Sequence, residues 1–421
     1  MRIVVSGAGF RNKGAEAMTL TLCRQLGQRV PDLEVLAWDC LEPQKDLAIS
    51  AGLVPLSRPA PGGQVQNAAW VLARILARGG LKFSHIRHPL TVWPDFSAVP
   101  MLESAGDFDA LFDISGFAYG DIWGPGPALS TVPACREARK RSLPVVFMPQ
   151  AWGALDRPSV RDAVLSLTRG PRTLVFSRDA RSTSYLLEAG VSADSIATRS
   201  DIVFAFEGAS EVRGRALLQS MGCDLDRPVV GVTPNMRAYD RSAGIGADNA
   251  YVRSLVALVR HCVDRHGADV VLLPSECAPV DRGTDDRKLC AIVRGEAQRD
   301  TRCHTDTAYV AAEDVWAMVG RCEYVIGSRF HSLVFALSQG VPCTVLGWSH
   351  KYAELMAQFD AGDSCVDHEN VSEQDAIDLF EVGWAHRAAS REKNLRVASR
   401  LRADVYELFD EVAEFLARAG R

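Results

Sequence analysis

The sequence predicts an α/β protein of two Rossmann-like, doubly wound domains facing a cleft, followed by C-terminal helices. Three observations carry that expectation. Short runs rich in Val, Ile, Leu and Phe recur along the chain, and amphipathic stretches separate most of them. The runs fall into two sets, one ending near residue 205 and one starting at Pro228. From Val371 onward the pattern reads as helix only. Alternating β and α at this spacing favours parallel sheets with helices on both faces.

The runs read as buried strands are residues 3–5, 110–114, 144–148 and 174–176 in the first set. In the second they are 229–232, 270–273, 324–326 and 344–346. The first domain is therefore placed at 1–205 and the second at 228–370, with a hinge at about 205–227 in the polar, helical stretch GASEVRGRALLQSMGCDLDR. The third region is 371–421. Ser372 and Asp375 read as a capping box. Leu395, Val397, Leu401, Val405, Leu408, Val412 and Leu416 recur at steps of two to four residues, mostly three and four. Two doubly wound domains about a cleft suggest a GT-B-like plan, in which ligands lie beyond the carboxyl ends of the strands.

Bulk properties exclude several classes. The 421 residues give ample length for two or three domains. Hydrophobic residues make up 47% and charged residues 24%, which is ordinary for a soluble globular chain. The net charge of −5, with scattered basic residues, argues against a nucleic-acid partner. The 11 cysteines contain no CxxC, and those from Cys262 to Cys343 lie more than ten residues apart, so no zinc module is indicated. Reduced thiols, a strand-like N-terminus without a signal peptide, and no uncharged apolar run of roughly 18 residues point to the cytoplasm.

The first βα turn, SGAGFRNKGAEAM, carries glycines at 7, 9 and 14. That spacing misses the dinucleotide fingerprint, and Ala15 and Glu16 stand where a Walker A motif needs Lys and Ser or Thr. What remains is a flexible turn into a helix N-terminus, with Asn12 and Glu16 expected to face the cleft. Amide donors beside an acid suit a polyhydroxyl ligand such as a sugar.

Three further strand exits bring polar groups and an aromatic toward the same edge. LFDISGFAYGDIWG supplies Asp113, FMPQAWG supplies Gln150 and Trp152, and VFSRDARSTSYLLEAGV supplies Arg178 and Asp179. Asp179 also reads as a helix cap. Asp113, Gln150 and Trp152 join Asn12 and Glu16 as expected acceptor contacts.

The stretch YVIGSRFHSLVFALSQGVPC, residues 324–343, is the most informative. A strand reaches a Gly327–Ser328 turn, and Arg329 and His331 open a helix whose buried face is Phe330, Leu333, Val334 and Leu337. Gly340 ends the helix and Pro342 prevents its continuation. A cation at a helix N-terminus is unfavourable on its own, which implies a bound anion. Helix N–H groups with a guanidinium fork hold phosphate or carboxylate well. His331 beside that anion is placed for acid or base chemistry near neutral pH. Lys351, in GWSHKY, adds a second cation.

The segments RNKGAEAM, SRDARSTSYLLEAGV, GVTPNMR and GSRFHSLVFALSQGVP followed by HK resemble the polysaccharide pyruvyl transferase family. They spread over roughly residues 1–355, and the R-x-H block is the most specific of them. The resemblance implies transfer of the enolpyruvyl part of phosphoenolpyruvate onto two hydroxyls of a saccharide, as a pyruvate ketal, with phosphate leaving. It implies a GT-B-like fold, no cofactor beyond that co-substrate, and no required metal. It places Arg329 and His331 at catalytic and donor-site positions and matches Arg178 to the family's middle Arg. Ser328, Arg237 and Lys351 complete the expected donor set, since a phosphate and a carboxylate need at least two cationic grips. The wording RNKGAEAM departs from the family's commoner N-x-G-D, which bears on acceptor choice.

A nucleotide-sugar glycosyltransferase and a non-catalytic sugar-binding member are the alternatives. His85 and His88 lack a third metal ligand. Residues 68–82, apolar with basic punctuation, read as a core helix or as a peripheral membrane contact toward a lipid-linked acceptor. Glu276, Asp285 and Asp286 read as cleft acids or as a solvated loop.

Overall fold

The computed structural model describes residues 1–37, 44–56, 105–277, 284–306, 308–367 and 372–419. His85, His88 and the 68–82 stretch lie outside the described residues. The first sheet comprises β1 (Arg2–Ser6), β2 (Glu34–Ala37), β3 (Val54–Pro55), β4 (Ala110–Asp113), β5 (Val145–Gln150), β6 (Thr173–Ser177) and β7 (Ile196–Thr198). Its order is β3-β2-β1-β4-β5-β6-β7, all parallel. The second comprises β8 (Val229–Thr233), β9 (Asp269–Leu272), β10 (Cys303–Thr305), β11 (Tyr324–Gly327), β12 (Cys343–Gly347) and β13 (Cys365–Asp367), in the order β10-β9-β8-β11-β12-β13. It too is parallel throughout.

The central strands β4, β5, β8, β9, β11 and β12 are buried along their whole length. Burial on both faces is why they read as unbroken apolar runs. The strands that the pattern did not reveal are β2, β3, β7, β10 and β13, each two to four residues long and at or next to a sheet edge. Strand order reverses between β1 and β4 in one sheet and between β8 and β11 in the other. Crossovers leave in opposite directions there, which opens a crevice at the carboxyl ends.

The expected hinge contains the helix Glu211–Ser220, which docks on the helix Ala312–Gly320. Gly214 permits that approach, because a Cβ there would collide with the Ala317 carbonyl.

The two sheets are joined by both backbone and apolar contacts. Lys13 N donates to Ser275 O at 2.8 Å and Cys277 N to Arg11 O at 2.9 Å, and Asn12 and Glu276 form an antiparallel bridge. Phe206 stacks on Phe335 with ring centroids 5.6 Å apart, and one apolar cluster runs through the seam. The helix Phe330–Ser338 sits in that cluster. Ser332, Phe335, Ala336 and Ser338 are buried along with its expected face, so the helix is enclosed nearly all round.

The capping box at Ser372 is present. The helix Arg387–Ala419 returns to the first sheet's side: Arg29 pairs with Asp410 at 2.6 Å, and Arg199 with Glu411 at 2.9 Å. Leu395, expected in its apolar stripe, is 48% exposed.

Candidate functional site

The expected residues follow strand ends for a simple reason. Parallel strands deliver every βα loop to one edge, so β6, β8, β11 and β12 bring Arg178, Arg237, Ser328–His331 and Lys351 to the same cleft.

At its centre three ionisable groups meet across the seam. Asp201, in the loop after β7, is 3% exposed. Its Oδ2 accepts from Arg178 Nη1 at 2.8 Å and lies 3.5 Å from His331 Nε2. Its Oδ1 accepts from Val203 N at 3.0 Å. Arg178 lies over the Phe330 ring, 3.9 Å from the centroid, and His331 meets that ring edge-on. Burial pushes the His331 pKa down; Asp201 opposes the shift, and Arg178 and Lys351 add to it. The imidazole is therefore neutral at neutral pH. Burial also works against the Asp201 charge, but interactions with the His331 ring, the Arg178 guanidinium and the Val203 N–H outweigh it and hold the carboxyl below its usual range. On its other side His331 rests on Gly14, where a Cβ would collide with Nδ1. The glycine of RNKGAEAM thus makes room for the histidine of the R-x-H block.

Arg329 occupies the cap position of its helix in extended conformation, one residue before the first turn, and does not cap it. The anion expected from its position is supplied by the protein. Its Nη1 donates to Glu276 Oε2 at 3.1 Å and its Nη2 to Asp286 Oδ1. Asp286 is fully buried and also accepts from the backbone N–H of Met236 at 3.0 Å and of Glu276 at 2.8 Å. The 275–288 stretch is therefore not a solvated loop at these positions. Burial opposes the Arg329 charge, yet Asp286 and Glu276 raise its pKa further, and it stays a guanidinium. Arg329 pins the loop of Glu276, the same loop that bonds Arg11 and Lys13 across the seam.

Lys351 differs from these paired cations. Its ammonium lies 4.7 Å from the Trp348 ring, 5.0 Å from Phe117, 5.3 Å from Tyr352 and 5.6 Å from Phe330. No acid pairs with it among the described residues. Burial, then the nearby Arg178, Arg329 and Arg241, drive its pKa well below the usual lysine value. Arg241 covers the other part of Trp348 at 4.5 Å, and Arg237 lies 5.9 Å from the Trp123 ring. Among the described residues these two also lack an acid partner. Phe117, Trp123 and Trp348 are mutually in contact, with centroids 5.7 to 6.4 Å apart, and link the two sheets.

Ser328 is buried at the turn, its carbonyl accepting from Tyr352 Oη at 2.8 Å and from Asn235 Nδ2. Arg178, Asp179, Asp201, Phe330, Lys351 and Gln358 line a narrow recess. A larger groove at Gly320–Glu323 and Ala385–Arg391 lies before β11, at the opposite end of the strands.

The expected acceptor contacts require correction. Trp152 is fully buried, stacks on Tyr119 at 5.3 Å and donates Nε1 to Phe176 O, so its face is core. Gln150 is buried and donates Nε2 to Asp113 Oδ1, while Asp113 also accepts from Ser115 and Tyr119. These residues form the cleft's floor. Asn12 caps its own helix by accepting from Gly14 N at 2.9 Å. Glu16 is 4% exposed and accepts from Lys13 Nζ at 2.8 Å, Tyr309 Oη at 2.9 Å and Ala312 N at 3.0 Å. It caps a helix of the second sheet's side from across the seam. Asp179 is a helix cap, accepting from Ser182 N at 2.7 Å.

The groups that sequence reasoning missed are Asp201, Phe117, Trp123, Trp348 and Arg241. Asp201 follows a three-residue edge strand that carries no pattern. The aromatics stand in loops already singled out, but nothing local marks them as neighbours.

No helix of the described residues is long and apolar enough to cross a membrane. Solved structures share the fold over nearly the whole chain. The UDP-GlcNAc 2-epimerase from Neisseria meningitidis aligns at a TM-score of 0.58 and 12% identity, covering 99% of this chain and 100% of that one. Anabaena Alr3699/HepE, solved with UDP and glucose, aligns at 0.57 and 14%, covering 99% of each. At these identities the likeness establishes the two-domain GT-B-like fold. The Erwinia amylovora amylovoran biosynthesis protein AmsJ is 20% identical over 308 residues, 71% of this chain and 72% of that protein. The family described as polysaccharide pyruvyl transferase matches residues 12–350, a span holding Gly14, Arg178, Asp201, Arg329 and His331, and the chain belongs to that family.

Proposed function

We propose that the cleft seats phosphoenolpyruvate on Lys351, Arg237 and Arg241, with His331 as the base that takes the acceptor hydroxyl's proton. Membership of the family carries the reaction itself: phosphoenolpyruvate-dependent pyruvyl transfer in polysaccharide biosynthesis, with phosphoenolpyruvate a co-substrate rather than a resident cofactor. The observation that carries the seating is the aromatic cluster flanked by three cations without acid partners among the described residues. A trianionic donor compensates them. Arg178 and Arg329, expected as donor contacts, already hold acids, so we assign them to positioning: Arg178 sets Asp201, and Arg329 sets the Glu276 loop.

A saccharide oxygen bonds to C2 of the enol and gives its proton to His331, while C3 gains a proton and becomes a methyl group, so the two transfers cancel. A second hydroxyl oxygen bonds to the same carbon as the C2–O bond to phosphate breaks, and inorganic phosphate leaves carrying the second hydroxyl's proton. A neutral His331 beside Asp201 suits the base, because the carboxylate stabilises the imidazolium that forms. The cations stabilise charge developing on the departing phosphate. The partly exposed rings of Phe117, Trp123 and Trp348 are the saccharide surface in this reading, replacing Trp152. We place residues 1–205 as the acceptor domain and 228–370 as the donor domain. Ten described cysteines, all free thiols, support a cytoplasmic enzyme. A lipid-linked acceptor met at the membrane face belongs to the same proposal.

Thermal denaturation with phosphoenolpyruvate, UDP and nucleotide sugars tests the seating. A ligand at 100 times its Kd stabilises the native state by about 2.7 kcal/mol. Phosphoenolpyruvate is expected to raise the melting temperature of the wild type, with the effect lost in Lys351→Ala. Stabilisation by a nucleotide sugar alone would overturn the reading.

A further inference from the structure

Outside the cleft, the described residues hold two groups of three side chains whose ligand atoms lie within 4.8 Å of one another: Cys223, Asp269 and His304, and His261, His266 and Glu381. The first group is already compensated. Asp269 pairs with Arg302 at 2.6 Å and Arg227 at 3.7 Å, and accepts from Asp224 N at 2.7 Å. Burial pushes the Cys223 thiol up to about 12, so it keeps its proton. Two guanidinium groups on the one carboxylate exclude a cation.

The second group has the opposite electrostatics. His261 and His266 stand on the last two turns of the helix Ala250–His266, and Glu381 on the neighbouring helix Glu373–Ala385. Both imidazoles direct Nε2 at the same oxygen, Glu381 Oε1, His266 from 2.6 Å. No Arg or Lys pairs with Glu381 among the described residues. The side chains are 22%, 16% and 38% exposed, so solvent reaches them. Phe380 and Trp384 fix the ring planes, with His266 and Trp384 centroids 5.0 Å apart. The helix C-terminal carbonyls add negative potential at the same spot.

We propose that His261, His266 and Glu381 form a zinc-class divalent metal site. Two imidazole nitrogens and one carboxylate oxygen are a known three-ligand set for zinc, with the fourth position left to water. At bond lengths of about 2.0–2.1 Å, tetrahedral ligand atoms stand about 3.3 Å apart. Each imidazole nitrogen therefore needs to move away from the Glu381 oxygen by less than about 1 Å, within side-chain rotamer adjustment. The helix Ala250–His266 ends just before β9 begins at Asp269, so the site lies at the amino ends of the strands, opposite the cleft. Its role is to staple the helix Glu373–Ala385 to the second sheet's outer helix. It takes no part in the reaction.

The test uses the metal-stripped full-length chain titrated with Zn²⁺ and Co²⁺ by calorimetry and visible absorbance. One equivalent of zinc is expected to bind and to raise the melting temperature, and cobalt is expected to show ligand-field bands. His266→Ala and Glu381→Gln are each expected to weaken zinc binding by at least about 100-fold. Circular dichroism checks that each variant is folded. Cys223→Ser, which removes a thiol of the other group, is expected to bind like wild type. A wild-type affinity weaker than about 1 mM would overturn the proposal. So would equal binding by folded His266→Ala and Glu381→Gln, or loss of binding in Cys223→Ser alone.

Discussion

His331 and Asp201 show how a pair of residues from different domains sets one protonation state. The histidine is neutral because burial and the surrounding cations outweigh one carboxylate. A base with a lowered pKa stays usable below the ordinary histidine value of about 6.5. The acid limb of the kcat/KM profile is therefore expected below that value. Asp201→Asn removes the group that favours the imidazolium, so the same limb should move to still lower pH while the maximal rate falls by about 10²-fold or more. Activity rising as pH falls through that range would mean that His331 works as the acid, and an unmoved limb in Asp201→Asn would mean that Asp201 does not set the His331 proton affinity. Lys351 has its own logic. Four aromatic rings stand around a cation that no carboxylate pairs with among the described residues, and cation–π attraction of about 0.5–2 kcal/mol per ring does not replace lost hydration. The donor anion proposed above supplies the missing charge.

At the scale of elements, the first helix and the loop of residues 274–277 are one mechanical unit. Glu16 binds Lys13, Tyr309 and the N-terminus of the helix Ala312–Gly320, and its pair with Lys13 is buried. Breaking a buried pair leaves an uncompensated charge and costs about 3–5 kcal/mol. Glu16→Gln is expected to lower the denaturant midpoint accordingly, and Lys13→Met in that background should recover part of the loss. If Glu16 instead served the acceptor, the substitution would raise the acceptor KM and leave the midpoint unchanged. Arg329 joins this unit through Glu276 and Asp286. Its position at a strand exit was read correctly, but its partner is a protein carboxylate pair.

Across the whole molecule, the C-terminal helix decides whether the two domains hold together. Leu401, Val405, Leu408, Phe409, Val412 and Leu416 are buried in the cluster that runs through the seam. Each such side chain contributes about 1.5–3 kcal/mol when fully buried. Their sum is about 9–18 kcal/mol, comparable with the roughly 5–15 kcal/mol of a typical domain. A chain ending before Arg387 is expected to lose its cooperative thermal transition and to aggregate, as read by circular dichroism and size exclusion. A truncated chain that melts like the full one would refute the seam's dependence on this helix.

The sequence by itself determined the alternation of strand and helix, the central strands, the capping box at Ser372 and the stretch around Arg329 and His331. Each of these is local: a buried parallel strand is a continuous apolar run, and a cap or a βα turn is set within a few residues. Only the tertiary structure decided that Asp201 faces His331, that Gly14 makes room for it, and that Trp152, Gln150 and Glu16 belong to floor and seam. It also decided which cations lack an acid partner among the described residues, for an arginine's partner far along the chain leaves no mark beside it. Ion pairing and ring contact depend on distance in space, and here the residues that meet are separated by 130 residues between Asp201 and His331 and by 317 between Gly14 and His331.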